Sequence, residues 1–111
     1  MTWMYRATTP THTFEIDIDP STLKTMLLTY KQGNGIVLEK EKSDLTITSE
    51  TVQQKTVYLC SFKLTQEEAN LFVEGTPVQI QMRALTFDGN AYASNKVTLD
   101  VDDVLNDEVL S

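Results

Sequence analysis

The 111-residue chain has little of the chemistry on which enzymes and disulfide-stabilised proteins depend. It contains one cysteine, Cys60, and one histidine, His12. A lone cysteine cannot form an internal disulfide, which fits either a reducing cytoplasm or a site that needs no disulfides. Nothing completes a catalytic triad around His12, which we expect at an exposed or edge position. Cys60 alternates with apolar residues and has no cationic neighbour to stabilise a thiolate, so we expect it to be buried and inert. We predict that the protein is not an enzyme and needs no cofactor.

Long apolar runs and a surplus of positive charge are also absent. No apolar run approaches the ~20 residues of a membrane helix. The first ten residues lack the apolar region of a signal peptide. The net charge of −7 opposes binding to phosphate backbones and to anionic membranes. We therefore expect a cytoplasmic protein whose partners include neither nucleic acid nor membrane.

What the sequence does contain is a series of short alternating runs of β-branched and aromatic residues, which are typical of strands. The clearest runs cover residues 13–19, 23–31, 36–40, 45–48, 57–64 and 78–84. Thr65 and Glu68 have the spacing of a capping box, which predicts a short helical turn near residues 65–73. We predict an all-β, immunoglobulin-like antiparallel β-sandwich of about seven strands. One domain would cover residues 1–103, followed by an acidic C-terminal tail at residues 104–111.

The last hairpin can be aligned from its turn, because Asp-Gly is a strong signal for a two-residue hairpin turn. With Asp88 and Gly89 at the centre, the predicted pairs on the core face are Val78–Leu99, Ile80–Val97 and Ala84–Ala93. The same alignment places Asn95 opposite Met82, which indicates a bulge near residues 94–95. It also pairs Leu85 with Tyr92 on the outer face, beside Phe87. This apolar cluster is either a partner-binding patch or the sign of a three-residue turn that would bury part of it.

Nearly the whole chain resembles a group of small uncharacterised proteins encoded in prophages of Gram-positive bacteria. The motifs that carry the resemblance are Arg-Ala-Thr-Thr-Pro-Thr-His at residues 6–12, Leu-Thr-Tyr at 28–30, Ile-Val-Leu-Glu-Lys at 36–40, Leu-Thr-Gln-Glu-Glu at 64–68, Val-Gln-Ile-Gln-Met-Arg at 78–83, Asp-Gly at 88–89 and Val-Leu-Asn-Asp-Glu-Val-Leu at 104–110. The resemblance implies a phage-derived structural or accessory protein without established catalytic residues. It also implies a place in the bacterial host cytoplasm or in the virion.

Two further sets of residues leave alternatives open. In the tail, the spacing of Val104, Leu105 and Val109 fits either a short amphipathic helix that docks on a protein surface or a frayed acidic terminus. At the strand ends, carboxylates could converge on a hard cation or simply face solvent. These carboxylates are Asp17, Asp19, Asp100, Asp102 and Asp103. We favour solvated strand ends and predict no metal site.

The sequence therefore supports two functional hypotheses. In the first, the protein is non-catalytic and contacts other phage structural proteins or further copies of itself. The candidate contact residues are Leu85, Phe87, Tyr92, Val104, Leu105 and Val109. In the second, which rests on the fold alone, it is a carbohydrate- or cell-surface-binding module. That module would use Tyr92, Phe87 and Trp3 as its exposed aromatic residues.

Overall fold

The computed structural model describes residues 3–94 and 96–111, and it shows a sandwich of two β-sheets. The strands are β1 (Trp3–Tyr5), β2 (Thr11–Ile16), β3 (Leu23–Gln32), β4 (Gly35–Glu41), β5 (Thr46–Val52), β6 (Lys55–Lys63), β7 (Val78–Thr86), β8 (Ala91–Ala93) and β9 (Val97–Asp102). One α-helix, α1 (Gln66–Ala69), lies between β6 and β7, and short 3-10 turns cover Pro20–Thr22 and Lys42–Asp44. No helix among the described residues is long and apolar enough to cross a membrane.

The order of the strands is that of an immunoglobulin-like fold. The larger sheet runs β1-β9-β7-β3-β4, with β8 beside β7, and the smaller sheet runs β2-β6-β5. In the smaller sheet, β2, β6 and β5 thus take the positions of strands B, E and D of that fold. In the larger sheet, β3 and β9 take the positions of strands C and G. Strand β1 pairs parallel with β9, whereas the other pairs are antiparallel. The predicted all-β sandwich is confirmed.

The core lies between the two sheets and follows the predicted alternation. In β3, Met26, Leu28 and Tyr30 are fully buried on one face, while Leu27 lies on the other face and is partly exposed. Cys60 faces the same core from β6 and is also fully buried, as predicted. The segment around α1 closes one end of the sandwich with further buried side chains, those of Leu64, Ala69 and Phe72.

The capping box that begins α1 is confirmed. The Glu68 backbone N–H donates to Thr65 Oγ1 at 3.1 Å, and the Thr65 backbone N–H donates to Glu68 Oε1 at 3.0 Å. These two bonds satisfy donors that the first helical turn would otherwise leave unpaired. A helix of four residues has little stability of its own. Burial of Ala69 and Phe72 therefore holds it in place.

The last hairpin agrees with the predicted alignment in one half and differs in the other. Val78 pairs with Leu99, as predicted. Nearer the turn, Ala84 pairs with Tyr92 instead of Ala93, so the predicted Leu85–Tyr92 pair is also wrong. The cause is a three-residue turn at residues 87–89, closed by a bond from the Thr86 backbone N–H to the Asn90 carbonyl at 2.8 Å.

Gly89 completes this turn with a φ of +91°, a conformation that glycine adopts without steric cost. The register changes by one residue between β8 and β9, where the sequence predicts a bulge. This change splits the second arm of the hairpin into two strands. The predicted position of Asn95 opposite Met82 lies outside the described residues.

Candidate partner-binding site

One side of the sandwich is incompletely covered. Strands β2 and β8 are edge strands of their sheets, and a cleft of about 520 Å³ lies between them. Apolar side chains of both sheets line this cleft, namely Ile16, Ile18, Leu23, Met26, Met82 and Ala84. We call this side of the molecule, bounded by residues 15–18, 87–88 and 92–94, the open flank. Ile16, Ile18 and Ala84 are partly exposed there, whereas Leu23, Met26 and Met82 lie beneath them and remain buried.

Tyr92 and Phe87 form an aromatic rim at the open flank. Tyr92 lines the main cleft and also an adjoining cleft of about 450 Å³, which Phe87 lines together with Ile18. Phe87 is 71% exposed and Tyr92 is 48% exposed. Tyr92 lies on the cleft side because the three-residue turn pairs it with Ala84, whose side chain lines the same cleft. The alternative of a three-residue turn is therefore correct, although it leaves both aromatic rings accessible.

The structure separates the other predicted contact residues from this rim. Leu85 follows Ala84 in β7, so its side chain points to the opposite face of the sheet. It is 37% exposed there. The candidates in the tail lie at the other end of β7, near α1, with Leu105 fully exposed and Val104 half-buried. The six predicted residues therefore form no single surface, and only Phe87 and Tyr92 come together.

The tail contains no helix, so the helical alternative for residues 104–111 is wrong. Polar contacts hold it against the domain. Arg6 Nη1 lies 2.6 Å from an Asp107 carboxylate oxygen, and the amide of Asn70 donates to the Asp107 carbonyl at 3.0 Å. The Gln66 side chain accepts from the Leu110 backbone N–H at 2.7 Å and donates to its carbonyl at 3.0 Å. These anchors leave the apolar side chains of Leu105 and Leu110 in solvent.

Charge at the open flank is mainly negative. Among the described residues that line the two clefts, the charged side chains are Glu15, Asp17, Asp88 and Lys55. Lys55 Nζ lies 4.0 Å from Asp17, and both side chains are about two-thirds exposed. An exposed ion pair of this kind contributes little energy. The alternation of residues 14–18 points Glu15 and Asp17 outward and Ile16 and Ile18 inward, so this part of the site could have been found from the sequence.

The groups most suited to catalysis lie away from the open flank. His12 Nδ1 is 2.6 Å from Tyr30 Oη, and neither residue lines the clefts. Burial raises the pKa of Tyr30, so its hydroxyl stays protonated and forms a hydrogen bond with the imidazole. Burial also lowers the pKa of His12. His12 does lie on the edge strand β2, but its side chain is half-buried. Burial raises the pKa of the Cys60 thiol, which is fully enclosed.

The carboxylates considered as cation ligands are held separately. Asp19 accepts from the Ser21 backbone N–H at 2.9 Å, and this bond lowers the pKa of Asp19. Asp17 lies beside Lys55, and Asp103 lies 3.5 Å from Arg6. Asp17 and Asp19 follow β2 at the end of the sandwich where β7 finishes, whereas Asp103 follows β9 at the opposite end. Within residues 3–94 and 96–111, no three acidic, histidine or cysteine side chains are grouped as metal ligands.

Comparison with known proteins gives few matches. No protein-family model matches the chain, and no curated protein matches it. Among solved structures, the chain is similar to AggA, the major subunit of aggregative adherence fimbriae type I from Escherichia coli. The TM-score is 0.31 and the identity is 8%, over 94% of this chain and 91% of the fimbrial chain. The immunoglobulin-like assignment therefore rests on the strand order of this chain itself.

Proposed function

We propose that the protein is a non-catalytic structural or accessory protein that acts through protein–protein contacts made by the open flank. The observation that carries this proposal is the aromatic rim, where Phe87 and Tyr92 are exposed beside an apolar cleft. Aromatic residues are enriched at protein interfaces and supply much of the binding energy there. A contiguous apolar surface of this kind on a soluble protein is typical of an interaction site.

The finer assignment is to a phage or prophage assembly. It is supported by the resemblance of the chain to prophage-encoded proteins, carried by motifs such as those at residues 6–12, 64–68 and 78–83. On this proposal the partners are other phage structural proteins or further copies of this chain. The protein would be made in the cytoplasm of the bacterial host and would then be incorporated into the particle.

A second candidate function is carbohydrate binding, and one observation favours it. The adjoining cleft combines the two aromatic rings with the polar residues Thr22 and Asn90. Aromatic faces beside hydrogen-bonding groups can bind a sugar ring. However, Thr86 and Asn90 already bond to each other within the turn, because the Asn90 backbone N–H donates to Thr86 Oγ1 at 2.9 Å. A glycan array that shows no binding would remove this candidate.

The test compares two pairs of substitutions with similar loss of exposed apolar surface. The first is Phe87→Ser with Tyr92→Ser at the open flank. The control is Leu71→Ser with Val73→Ser near α1, where the side chains are 53% and 58% exposed. Tagged protein would be expressed in a lysogenic host, and its amount in purified particles would be measured by immunoblotting. Sedimentation velocity on the isolated protein would measure self-association.

We expect the wild type and the control pair to be retained in particles or in oligomers. For the open-flank pair, we expect the amount of protein retained in particles or in oligomers to fall by about tenfold or more, because two interface anchors are removed. Because all four side chains are exposed, circular dichroism should show both variants folded. The proposal fails if the wild type is monomeric at high concentration and absent from particles. It also fails if the open-flank pair is retained as well as the control.

A further inference from the structure

We propose that the open flank binds an extended segment of a different protein as an added β-strand along the free edge of β2, and that lysine or arginine alternates with apolar residues in this segment. The inference rests on the proposed function and specifies how the partner is recognised. Three properties of the described residues carry it. They are unpaired backbone groups on β2, an apolar cleft beside this strand, and carboxylates on its outer face.

Strand β2 lies at the edge of the smaller sheet, and its neighbour among the described strands is β6. The Leu64 N–H donates to the Pro10 carbonyl at 2.8 Å, one position before the first pair of the β2–β6 ladder. Hydrogen-bonded and non-hydrogen-bonded pairs alternate along an antiparallel ladder. Thr13 and Glu15 therefore belong to non-hydrogen-bonded pairs, and their backbone N–H and carbonyl groups point away from β6.

The contacts of Thr13 agree with this pattern. Its hydroxyl lies 2.9 Å from the hydroxyl of Ser61, its partner on β6, as expected because side chains of a non-hydrogen-bonded pair lie closest together. Thr13 and Glu15 are both exposed. Within residues 3–94 and 96–111, the backbone hydrogen bonds made outside the strand ladders involve neither of them. This edge is therefore a template for pairing with another chain.

The cleft beside β2 favours apolar residues at every second position of the added strand. Neighbouring strands place their side chains on shared faces, so the inward set would lie beside Ile16 and Ile18. Both side chains are partly exposed and line the cleft together with Ala84 of the larger sheet. Tyr92 borders the same cleft and would contact the inward set from β8. Apolar residues at these positions would bury surface that is now accessible to water.

Carboxylates on the outer face of β2 select the other set of residues. The outward side chains of the added strand would lie beside Thr13, Glu15 and Asp17, which share this face. Leu59 is the partner of Glu15 on β6, and within the described residues Glu15 forms no ion pair. Asp17 lies 4.0 Å from Lys55 in an exposed pair. Lysine or arginine in the added strand would therefore form an opposite-charge pair with Glu15.

The net charge of the chain argues against a second copy as the occupant. Each copy carries a net charge of −7, so two copies repel each other. A basic segment is instead attracted to the acidic edge, and this attraction also speeds association. The segment is therefore expected to come from a different protein.

The other free edges do not combine the same features. A strand added along β8 would place its outward side chains on the face of Arg83, because Ala93 pairs with Arg83 across that ladder. Lysine at those positions would meet a like charge. At the free edge of β5, exposed residues such as Ser49 and Glu50 are polar, and neither cleft extends to this strand. Strand addition at β5 would therefore bury little apolar surface.

The experiment uses synthetic peptides as the probe and fluorescence anisotropy as the readout. One labelled peptide alternates valine and lysine, a second alternates valine and glutamate, and a third has the valines and lysines of the first in two blocks. Each is titrated with the full chain at low and at physiological salt. We expect the alternating valine–lysine peptide to bind at least about tenfold more tightly than either of the others, and more weakly as salt rises.

Two variants at one position test the backbone pairing. Thr13→Pro removes an N–H that points away from β6, so an edge strand should tolerate it. Thr13→Val keeps that N–H but also loses the hydroxyl contact with Ser61, and it serves as the matched control. We expect Thr13→Pro to bind the valine–lysine peptide about tenfold more weakly than Thr13→Val does, because one backbone hydrogen bond is lost. If Thr13→Pro does not fold, the same test is made with the wild type and a peptide whose alternate backbone amides are methylated.

Two further variants test the choice of charge. Glu15→Gln removes the carboxylate beside the added strand, whereas Glu50→Gln removes an exposed carboxylate on β5, the far strand of the same sheet. We expect Glu15→Gln to weaken binding of the valine–lysine peptide by about threefold, as for the loss of one cross-strand charge pair, and Glu50→Gln to leave it unchanged.

Absence of binding by the alternating valine–lysine peptide would overturn the inference. Tighter binding by the glutamate peptide, equal binding by Thr13→Pro and Thr13→Val, or equal effects of the two glutamine variants would also overturn it. Its failure can be told apart from failure of the proposed function. If Phe87→Ser with Tyr92→Ser abolishes incorporation into particles while Thr13→Pro leaves it unchanged, the open flank is the contact surface but binds its partner by another mode. If neither variant affects incorporation, the proposed function fails as well.

Discussion

Tyr30→Phe gives a direct test of the hydrogen bond between Tyr30 in the core and His12 on β2. Tyr30 is fully buried, and its ring packs against Phe72 with centroids 5.7 Å apart. The substitution keeps this packing and removes the hydroxyl that is hydrogen-bonded to His12 Nδ1 at 2.6 Å. A neutral hydrogen bond contributes about 1 kcal/mol, and leaving the half-buried imidazole nitrogen unpaired adds up to about 1 kcal/mol more. We therefore expect the free energy of unfolding to fall by about 1–2 kcal/mol at pH 8.

The burial of His12 also makes the stability of the protein depend on pH. Burial lowers the pKa of His12 below its ordinary value of 6.5, so the unfolded chain binds more protons than the folded chain near and below that pH. Stability therefore rises with pH in this window. The stability that the neutral imidazole of His12 contributes is fully present above about pH 6.5 and is lost progressively as the pH falls. We therefore expect the free energy of unfolding of the wild type to be lower at pH 5.5 than at pH 8.

Urea unfolding followed by circular dichroism at the two pH values measures both effects. Glu68 is the charged group that acts on this pair, since its charge contributes to the raised pKa of Tyr30. Glu68 is itself paired with Lys40, and its pKa is lowered, so it remains ionised throughout this range. Tyr92→Phe removes an exposed hydroxyl and serves as the control that should change nothing. The reasoning is refuted if Tyr30→Phe matches the wild type at pH 8, or if wild-type stability is the same at both pH values.

Three further predictions concern stability and reactivity. Thr65→Ala should lower the free energy of unfolding by about 1 kcal/mol, because it removes the side-chain acceptor of the Glu68 N–H. Urea titrations measure this change, and an unchanged midpoint would contradict the role of the cap. Gly89→Ala should cost about 1–2 kcal/mol, because Gly89 has a φ of +91°, whereas Gly35→Ala lacks this strain and should cost less in the same titration. The Cys60 thiol should react with Ellman's reagent only on unfolding, since it is fully buried with a raised pKa; rapid labelling of the native protein would show that the core opens.

Features set by local patterns were predictable from the sequence. The alternation of residues 23–31 indicated the buried face of β3, and the spacing of Thr65 and Glu68 indicated the capped turn. In both cases neighbouring residues decide the structure, through side-chain alternation or through hydrogen bonds across a single turn. The same local signals gave the sandwich, because its strands are short and their turns are distinct.

The position of Tyr92 at the site depends on the length of the hairpin turn, which the sequence leaves open. Asp88-Gly89 fits a two-residue turn and a three-residue turn, and these differ by one residue of register. The structure has the three-residue form, which moves Tyr92 to the cleft side and separates it from Leu85. The path of the tail could likewise not be predicted from local patterns. Arg6 and Gln66 anchor it from distant parts of the chain.

The central claim is that the open flank is the surface by which the protein contacts its partner. Amide hydrogen exchange, compared between the free protein and the protein incorporated in purified particles, tests it most directly. We predict slower exchange on incorporation at residues 13–18 and 87–93, with the tail at residues 104–111 unchanged. Unchanged exchange at the open flank, or protection confined to the tail and α1, would contradict the claim.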